Sequence, residues 1–454
     1  MSWLTLGDIA EMAGGRLVGH DASVTSVSTD TRSLSDGALF VALKGPNFDG
    51  HHFVAQALDS GAAAALVSEA VDAEIPQVVV EDTRLALGRL ASAWRDRLGL
   101  PVIALTGSNG KTTVKEMIAS IMSTKGSVLA TRGNLNNDIG VPLTLLSIRA
   151  HHQYAVIEMG ANHLEEIRYL AQLAKPNIGL VNNAGPAHLE GFGDLDGVAR
   201  GKGELFECLA PGATAILNAD DAYFDYWSSL LEGKQVISFG GAANADVRAE
   251  LDDEAFFIEA GGERMLVSLP VPGRHNRMNA LAAAASCMAA GATLAEVRQG
   301  LEGLDSVAGR LNERAGLNGS VILDDTYNAN PASFRAGIEV LAEHPGTRIL
   351  VLGDMGELGE ETERLHAEVG VFARDKNLDQ LMGVGDFASG TVSAFGSGGR
   401  HYADKSSLVA DLKRELKAGV TALIKGSRSM AMEEVVNAVV RDVNTGREGA
   451  GHAA

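Results

Sequence analysis

Three things are scarce in this sequence: cysteine, basic charge and long apolar runs. The 454 residues include only 2 cysteines, Cys208 and Cys287, in apolar helical contexts, which excludes a disulfide framework and indicates reduced thiols. Acidic residues outnumber basic ones 58 to 38, and the net charge of −20 argues against nucleic acid or an anionic membrane as a partner. No apolar run reaches the length of a membrane helix, and residues 1–8 lack the basic stretch of a signal peptide. We therefore expect a soluble, cytoplasmic protein without membrane insertion.

Length and glycine content bound the architecture. A chain of 454 residues is too long for one hydrophobic core, and its 53 glycines, with many alanines, favour tight packing of helices on strands. We predict an α/β protein of three domains, a small N-terminal α/β domain at 1–82, a central domain with a parallel sheet at 83–311 and a C-terminal Rossmann-like domain at 312–454. From residue 445 the chain is rich in glycine and alanine, and we expect this end to fray.

Alternating strand and helix patterns support this division. N-terminal strands are predicted at 38–43 and 63–67, with a helix at 55–60. After a helix ending at residue 98, central strands are predicted at 102–105, 127–130, 154–157 and 178–181, an alternation typical of parallel sheets. Short apolar stretches within 236–270 predict a small antiparallel appendage. C-terminal strands are predicted at 321–323, 348–352, 380–384 and 422–424, without the G-x-G-x-x-G motif that would indicate a dinucleotide.

The chain is organised around residues 102–113. The apolar strand at 102–105 leads into Thr-Gly-Ser-Asn-Gly-Lys-Thr-Thr and then into a helix with one apolar face. Glycines let loop N–H groups turn toward an anion, and the following helix adds positive charge at its N-terminus. Leu105 replaces the first glycine of the general phosphate-loop motif, so this is a shortened variant. An ordinary glycine turn is the alternative, but the flanking strand and helix favour nucleotide binding. The predicted nucleotide-binding residues are Gly107, Ser108, Asn109, Gly110, Lys111, Thr112 and Thr113, with the Thr112 hydroxyl directed at Mg²⁺.

Polar side chains follow two further strands of the predicted central sheet. Glu158 comes directly after the strand at 154–157, and His188 follows the strand at 178–181. Because ligands gather at the carboxyl ends of parallel strands, both are candidates for a metal site beside the phosphate loop. Asn182 and Asn183 end a strand too, but are weaker candidates. Lys202 lies in a helical pattern, where a solvated charge is the ordinary interpretation.

The C-terminal half carries a second set of strand-end motifs. Asp-Asp-Thr-Tyr-Asn-Ala-Asn-Pro occupies 324–331, Gly-Asp-Met-Gly-Glu-Leu occupies 353–358 and Lys-Gly-Ser-Arg occupies 425–428. Lys425 and Arg428 are suited to a carboxylate-bearing substrate through charge-assisted hydrogen bonds. Solvated cations and a helix-capping serine remain the alternative for either motif taken singly.

These motifs, in this order, resemble the Mur ligase family, the ATP-dependent amide-forming enzymes of peptidoglycan assembly, over essentially the whole chain. The resemblance implies that ATP binds at the phosphate loop together with two Mg²⁺ ions. Lys202 matches a family lysine that is carbamylated, and this modification would turn a cation into a metal-binding carboxylate. The catalytic and metal-binding set implied is Lys111, Thr112, Glu158, His188 and Lys202, and the nucleotide set adds Asn279 and Tyr327 for adenine, Asp325 for ribose and Arg310 for phosphate.

Within the family, the three C-terminal motifs are typical of the member that adds D-alanyl-D-alanine to UDP-N-acetylmuramoyl-tripeptide. The resemblance implies that the N-terminal domain holds the UDP end of the tripeptide substrate and that the C-terminal domain binds the incoming D-alanyl-D-alanine. The substrate-binding residues implied are Thr31, Arg32, Asn136, Asn137, Asn328, Asn330, Lys425, Ser427 and Arg428. A monomer is expected, with closure of the domains about a hinge near residue 311.

Two alternatives stay open at this point. One is an amide ligase with other substrates, such as a diamino-acid-adding or a folate-polyglutamating relative, although the Asp-Asn-Pro-Arg motif of the former is missing here. The other is a nucleotide-binding regulator that uses the same fold without catalysis.

Overall fold

The first sheet of the molecule is built from short strands near the N-terminus. The computed structural model describes residues 3–251, 254–305 and 308–441, so the predicted frayed end lies outside the described residues. The strands are β1 (Leu4–Thr5), β2 (Arg16–Val18), β3 (Ser23–Val24), β4 (Val27–Ser28), β5 (Leu39–Val41), β6 (Lys44–Gly45), β7 (Phe48–Asp49), β8 (Ala64–Val67) and β9 (Gln77–Val79), and the helices are α1 (Leu6–Ala13) and α2 (Val54–Asp59), with 3₁₀ turns at Thr31–Ser33 and Gly50–Phe53. Five of these strands form a sheet in the order β2-β9-β8-β5-β4, which confirms the α/β character predicted for this part.

The second sheet carries the phosphate loop. Its strands are β10 (Val102–Thr106), β11 (Val128–Ala130), β12 (Tyr154–Glu158), β13 (Ile178–Val181), β14 (Thr214–Asn218), β15 (Gln235–Gly240), β16 (Val247–Arg248), β17 (Phe257–Ala260) and β18 (Glu263–Leu266). The helices are α3 (Thr83–Leu98), α4 (Lys111–Ser123), α5 (Gly140–Leu146), α6 (Glu166–Ala174), α7 (Leu189–Phe192), α8 (Leu195–Glu207), α9 (Phe224–Ser229), α10 (Arg274–Ala289) and α11 (Leu294–Glu302). The order β11-β12-β10-β13-β14-β15-β16-β17-β18 places β10 between β12 and β13.

The predicted antiparallel appendage is only partly separate from this sheet. Strand β15 pairs in parallel with β14 and extends the main sheet, whereas β17 and β18 form the expected antiparallel hairpin. The hairpin joins through β16, which is parallel to β15 and antiparallel to β17. The sequence pattern does not indicate β15 as a strand of the main sheet, because a run with one exposed end lacks the uniform apolar character of the central strands.

The third sheet lies in the C-terminal part of the chain. Its strands are β19 (Asn312–Ala315), β20 (Val321–Asp325), β21 (Thr347–Gly353), β22 (Gln380–Val384), β23 (Gly399–Tyr402) and β24 (Val420–Lys425), and its helices are α12 (Pro331–Glu343), α13 (Thr362–Asp375), α14 (Ala388–Phe395), α15 (Lys405–Glu415) and α16 (Glu433–Val439), with 3₁₀ turns at Leu317–Gly319, Gly359–Glu361 and Arg428–Met430. The order is β19-β20-β24-β21-β22-β23, parallel except for β19. The α/β class predicted from the sequence is therefore confirmed for all three sheets.

Helix α4 shows why the predicted elements form. Its apolar face is buried between the central sheet and helices α10 and α11, as the helical spacing of these residues predicts. The residue that caps the start of this helix is Gly110, whose φ of +79° lies in the left-handed region that glycine tolerates. None of the helices in the described ranges is both long and apolar enough to cross a bilayer.

Candidate active site

A cavity of about 1160 Å³ opens at the carboxyl ends of β10 and β12, where the central and C-terminal sheets face each other. Several residues predicted from the sequence line it together, although they come from distant parts of the chain. The predicted residues in its wall are Ser108, Asn109, Gly110, Lys111, Asn136, Asn137, Glu158, His188, Arg310, Tyr327, Asn328, Asn330 and Arg428. The expectation that strand-end side chains meet at one sheet edge thus holds for this cavity.

The phosphate loop is held in shape by its own lysine. The Lys111 ammonium donates to the carbonyl oxygens of Gly107 at 2.8 Å and Ser108 at 3.4 Å. Burial of this ammonium lowers the pKa of Lys111, an effect that Glu158 opposes and Arg310 reinforces. A nearby anion would reverse the shift, because it stabilises the charged form. The loop therefore presents a desolvated cation with no carboxylate partner among the described residues.

Asparagines behind the loop fix its backbone. Asn183 accepts the backbone N–H of Asn109 at 2.9 Å, and the Asn182 amide donates to the carbonyl of Asn109 at 2.9 Å and to Oδ1 of Asn279 at 3.0 Å. A Cβ at Gly110 would lie 2.3 Å from Oδ1 of Asn279, so this glycine is required by close packing as well as by its backbone angle. Asn182 and Asn183 are only weak candidates from the sequence. Their position after β13, the neighbour of β10, is the signal that favours them.

Glu158 presents one unpaired carboxylate oxygen. Its side chain is 1% exposed, Oε1 accepts a hydrogen bond from the Asn136 amide at 2.8 Å, and Oε2 is buried without a partner. A buried carboxylate oxygen without a donor is costly unless a cation meets it. Within residues 3–251, 254–305 and 308–441, no three His, Cys, Asp or Glu side chains cluster closely enough to hold a metal ion by themselves.

Lys202 lies close behind this region in helix α8. It is 1% exposed, its ammonium donates to the carbonyl of Ala161 at 3.5 Å, and it lies 5.1 Å from the ring centre of Phe192. Burial, reinforced by the charge of Lys111, lowers the pKa of Lys202 to about 7. The structure therefore contradicts the ordinary interpretation of Lys202 as a solvated charge, since helix α8 turns this position inward.

His188 contacts the C-terminal sheet region rather than standing alone. Its backbone has a φ of +55°, and Nδ1 lies 2.5 Å from Oε2 of Glu357, a close contact without aligned hydrogen-bond geometry. The contact with His188 lowers the pKa of Glu357. Glu357 belongs to the motif at 353–358 but is not among the predicted site residues, because nothing local indicates a partner from another sheet.

Two further contacts connect the C-terminal side to the phosphate loop. Arg310 donates to the Thr112 hydroxyl at 3.2 Å and lies 4.1 Å above the Tyr327 ring, while its Nε is buried without a partner. The Asn330 amide donates to Oδ1 of Asn109 at 2.7 Å. Arg310 therefore lies where a phosphate on the loop would meet it, and stacking on the tyrosine holds its guanidinium in place.

Lys425 is already paired. Its ammonium donates to Oδ2 of Asp325 at 2.6 Å and to the Asn328 carbonyl at 2.9 Å, and the side chain is 1% exposed. Burial lowers the pKa of Lys425, which Asp325 opposes. Ser427 is buried beyond the strand, whereas Arg428 faces the cavity and pairs with Glu433 at 2.8 Å.

The remaining predicted residues lie elsewhere. Thr31 and Arg32 occupy an exposed 3₁₀ turn of the N-terminal sheet, and Arg32 pairs with Asp30 at 2.7 Å. They do not line the cavity. Thr113 and Asn279 are buried against the loop, and the adenine contact expected of Asn279 stays a prediction.

Comparisons with known proteins cover almost the whole chain. Three family models match: "Mur ligase family, catalytic domain" at residues 23–95, "Mur ligase middle domain" at 105–287 and "Mur ligase, glutamate ligase domain" at 309–428. The chain is 47% identical to the UDP-N-acetylmuramoyl-tripeptide--D-alanyl-D-alanine ligase of Escherichia coli K12, covering 96% of this chain and 98% of that protein. It is 42% identical to the ligase of the same name from Haemophilus influenzae, covering 95% and 97%.

Solved structures resemble the chain over a similar extent. A crystal structure of MurF from Acinetobacter baumannii is 37% identical, with a TM-score of 0.90 and coverage of 96% of this chain and 98% of that one. MurF from Thermotoga maritima in complex with ADP is 29% identical, with a TM-score of 0.81 and coverage of 91% and 97%.

Proposed function

This chain belongs to the Mur ligase family, and from that premise we propose that it joins D-alanyl-D-alanine to UDP-N-acetylmuramoyl-tripeptide at the expense of ATP. Relatives that carry this name match nearly the full length, and a similar structure contains ADP. The observation that carries the proposal is one cavity that unites a phosphate loop, the unpaired Glu158 oxygen and Arg428 from the C-terminal side. These are the groups that an ATP-driven joining of an acid and an amine requires.

The reaction proceeds in two steps. A carboxylate is a poor electrophile, so the γ-phosphoryl group of ATP is first transferred to the terminal carboxylate of the tripeptide, giving an acyl phosphate and ADP. The amine of D-alanyl-D-alanine then attacks the acyl carbon, the amide forms, and phosphate and a proton leave. Lys111, the loop N–H groups and Arg310 hold the transferred phosphoryl group by position and charge, which is the main source of catalysis in phosphoryl transfer.

The residues at the cavity fit the Mg²⁺ ions implied by the resemblance. The buried Oε2 of Glu158 has no partner, the Thr112 hydroxyl is at the loop, and His188 is nearby with its Nδ1 against Glu357. When bound, two Mg²⁺ ions would neutralise charge between the phosphates and the substrate carboxylate. We propose Thr112, Glu158, His188 and a modified Lys202 as the residues that hold them.

Carbamylation of Lys202 is chemically accessible. A pKa of about 7 leaves a large neutral fraction of the amine at neutral pH, and only the neutral amine adds CO₂, releasing a proton as it becomes a carbamate. The product is an anion next to Ala161, a residue of the cavity wall. A crystal map at neutral pH that shows a bare amine at Lys202 would contradict this part, while a carbamate in that map is the expected result.

Other roles are proposals from the resemblance, supported to different degrees by position. We assign Arg310 to phosphate, Asp325 to ribose, and Asn279 and Tyr327 to adenine. We assign the domain at 1–82 to the UDP end of the substrate, with Thr31 and Arg32 as contacts. The domain at 83–311 is assigned to ATP, and the domain at 312–454 to the nucleotide and D-alanyl-D-alanine. The second group of substrate contacts is Asn136, Asn137, Asn328, Asn330, Lys425, Ser427 and Arg428. The protein is proposed to act as a cytoplasmic monomer.

Domain closure accompanies binding in this proposal. Leu311 has a φ of +50°, a conformation that β-carbon-bearing residues seldom adopt, at the point where the chain enters the third sheet. Small-angle scattering with an ATP analogue and the tripeptide substrate is expected to show compaction. Unchanged dimensions with both ligands bound would contradict the hinge.

The decisive assay measures ADP formation by the purified protein. ADP release that requires both UDP-N-acetylmuramoyl-tripeptide and D-alanyl-D-alanine supports the proposal. Release with another amine from a panel, and not with D-alanyl-D-alanine, would identify a different amide ligase. ATP binding without substrate-dependent turnover would identify a regulator.

A further inference from the structure

Lys115 is a buried cation that the proposed reaction does not use. It lies on helix α4, one turn after Lys111, just beside the apolar face of this helix, and is buried together with it. Its side chain is 1% exposed. A buried ammonium is costly unless acceptors surround it, so the partners of Lys115 indicate what it holds.

Two acceptors meet this ammonium. Nζ of Lys115 donates to the backbone carbonyl of Thr131 at 2.8 Å and lies 2.7 Å from Oε1 of Glu116. Thr131 directly follows strand β11 and begins the loop that carries Asn136 and Asn137. Lys115 therefore ties the helix of the phosphate loop to the first residue of a loop in the cavity wall.

Thr131 is also hydrogen-bonded to Glu158. Its hydroxyl accepts the backbone N–H of Glu158 at 3.0 Å, and its own N–H donates to the carbonyl of Val156 at 3.0 Å. Thr131 is itself 1% exposed, so these bonds lie out of water. Without the hydrogen bond from Lys115, Thr131 would be held less firmly, and Thr131 is the residue that joins the loop to the end of β12.

The loop also orients the Glu158 carboxylate directly. The Asn136 amide donates to Oε1 of Glu158 at 2.8 Å, and the Asn136 carbonyl accepts the N–H of Gly160 at 2.8 Å. A Cβ at Gly160 would lie 2.9 Å from Cγ of Asn136, so the two segments are in close contact. With Oε1 occupied, Oε2 is the oxygen left for the cavity.

We propose that Lys115 is a positioning residue: by anchoring Thr131 to helix α4 it sets where Asn136 and the Glu158 carboxylate stand relative to the phosphate loop. The inference rests on the proposed ligase function for its kinetic consequences. Reacting groups must be held to within a fraction of an ångström, and a misplacement of about 1 Å can lower a rate by ~10²-fold. Lys115 acts through Thr131 and is not part of the cavity wall.

The test replaces Lys115 by methionine, which keeps the length of the side chain and removes its charge. Lys115→Met is expected to lower kcat about 10- to 100-fold, with KM for ATP changed less than about threefold, because the phosphate loop keeps its own contacts. Amide hydrogen exchange should become at least about tenfold faster in residues 131–137 and at Glu158. This second readout needs no turnover.

Lys234→Met is the matched control. Lys234 also donates its ammonium to backbone carbonyls, those of Phe206 at 2.6 Å and Leu230 at 3.2 Å, but it lies outside the cavity wall. Its loss should leave kcat and the exchange of residues 131–137 unchanged. If both variants speed exchange equally throughout the central sheet, Lys115 is only structural and the proposal is overturned.

A second pair of variants applies if Lys115→Met does not fold. Thr131→Val removes the hydroxyl that accepts the Glu158 N–H and keeps the carbonyl that Lys115 contacts, so it should lower kcat in the same way, and Thr131→Ser should restore it. A kcat within twofold of the unmodified protein in Lys115→Met or Thr131→Val overturns the proposal. If the unmodified protein shows no substrate-dependent ADP release, the ligase function falls, and the exchange measurement still decides whether Lys115 positions this loop.

Discussion

Lys111 and Lys425 occupy comparable places in two different sheets. Lys111 follows strand β10 across the phosphate loop, and Lys425 ends strand β24. Burial lowers the pKa of both, and in each case a nearby carboxylate, Glu158 or Asp325, opposes the shift. Yet Lys111 donates only to loop carbonyls, whereas Lys425 is bonded to Asp325 at 2.6 Å.

The difference shows that burial alone does not tell the role of a lysine. An ammonium that meets only carbonyl oxygens keeps its full charge available for an arriving anion. An ammonium bonded to a carboxylate forms a neutral pair, which holds two segments together and offers less to a ligand. Lys111 is therefore suited to bind phosphate, and Lys425 is suited to fix Asp325 and the loop at 326–330.

The largest effect is expected from Lys111. Lys111→Ala should lower turnover by several orders of magnitude, since removal of one preorganised charge donor already lowers kcat by roughly 10²–10³-fold. Binding of the UDP-substrate, measured by calorimetry, should persist. The Lys111→Met variant should lower the free energy of unfolding by about 1–3 kcal/mol, because it leaves carbonyl oxygens but no carboxylate without a partner. Near-normal ADP release by Lys111→Ala would contradict the assignment of Lys111, and not Lys425, to phosphate binding.

Asp325 provides the opposite case. Asp325→Asn should destabilise the C-terminal sheet by about 3–5 kcal/mol, because Lys425 is left as a buried cation without its partner. Urea unfolding followed by hydrogen exchange in β20 and β24 measures this loss. The double variant Asp325→Asn, Lys425→Met should recover much of the stability. If Asp325→Asn alone changes the free energy of unfolding by less than about 1 kcal/mol, the Asp325–Lys425 pair does not stabilise the C-terminal sheet.

His275 gives a pH-dependent test near the same pair. Burial lowers its pKa to about 4, which Asp325 opposes and Lys425 reinforces. Between pH ~6.5, the ordinary pKa of histidine, and the lower pKa in the folded protein, the unfolded chain binds a proton at His275 that the folded protein does not. The free energy of unfolding should therefore fall as the pH drops through this range. The contribution is up to about 3 kcal/mol at ~1.36 kcal/mol per pKa unit. His275→Gln should show a shallower fall in unfolding experiments between these pH values, and an identical profile would contradict the burial of its neutral form.

The smallest effect is expected at the exposed end of the C-terminal motif. The Arg428 side chain is 66% exposed and pairs with Glu433 at 2.8 Å. Glu433→Gln should change the free energy of unfolding by less than ~1 kcal/mol, as exposed ion pairs contribute little. Arg428→Ala should instead raise KM for D-alanyl-D-alanine about tenfold or more in the ADP-release assay. Equal KM values for the two variants would contradict a role of Arg428 in binding the substrate carboxylate.

Much of the fold and part of the site can be predicted from the order of residues. Apolar runs locate the strands at 102–105, 154–157 and 178–181, and Glu158 stands out by its place directly after one of them. Strand β15 and the burial of Lys202 cannot be found in this way, because one lacks a uniform apolar pattern and the other depends on how helix α8 packs. The pairing of His188 with Glu357 has no local signal at all.

The α/β alternation, the phosphate loop and the helix that follows it are properties of the sequence alone, since they depend on residue spacing within a few turns of chain. Which charged side chains remain able to bind a ligand depends on the folded structure. Asp325 and Lys425 are 100 residues apart and Asn109 and Asn330 are 221 apart, so their contacts arise from how the sheets face each other. The same holds for Lys115, whose residue type is visible in the sequence but whose acceptor on Thr131 is set by the packing of α4 against β11. The physical reason is that periodicity reports which face of an element is buried, and not which distant group it meets there.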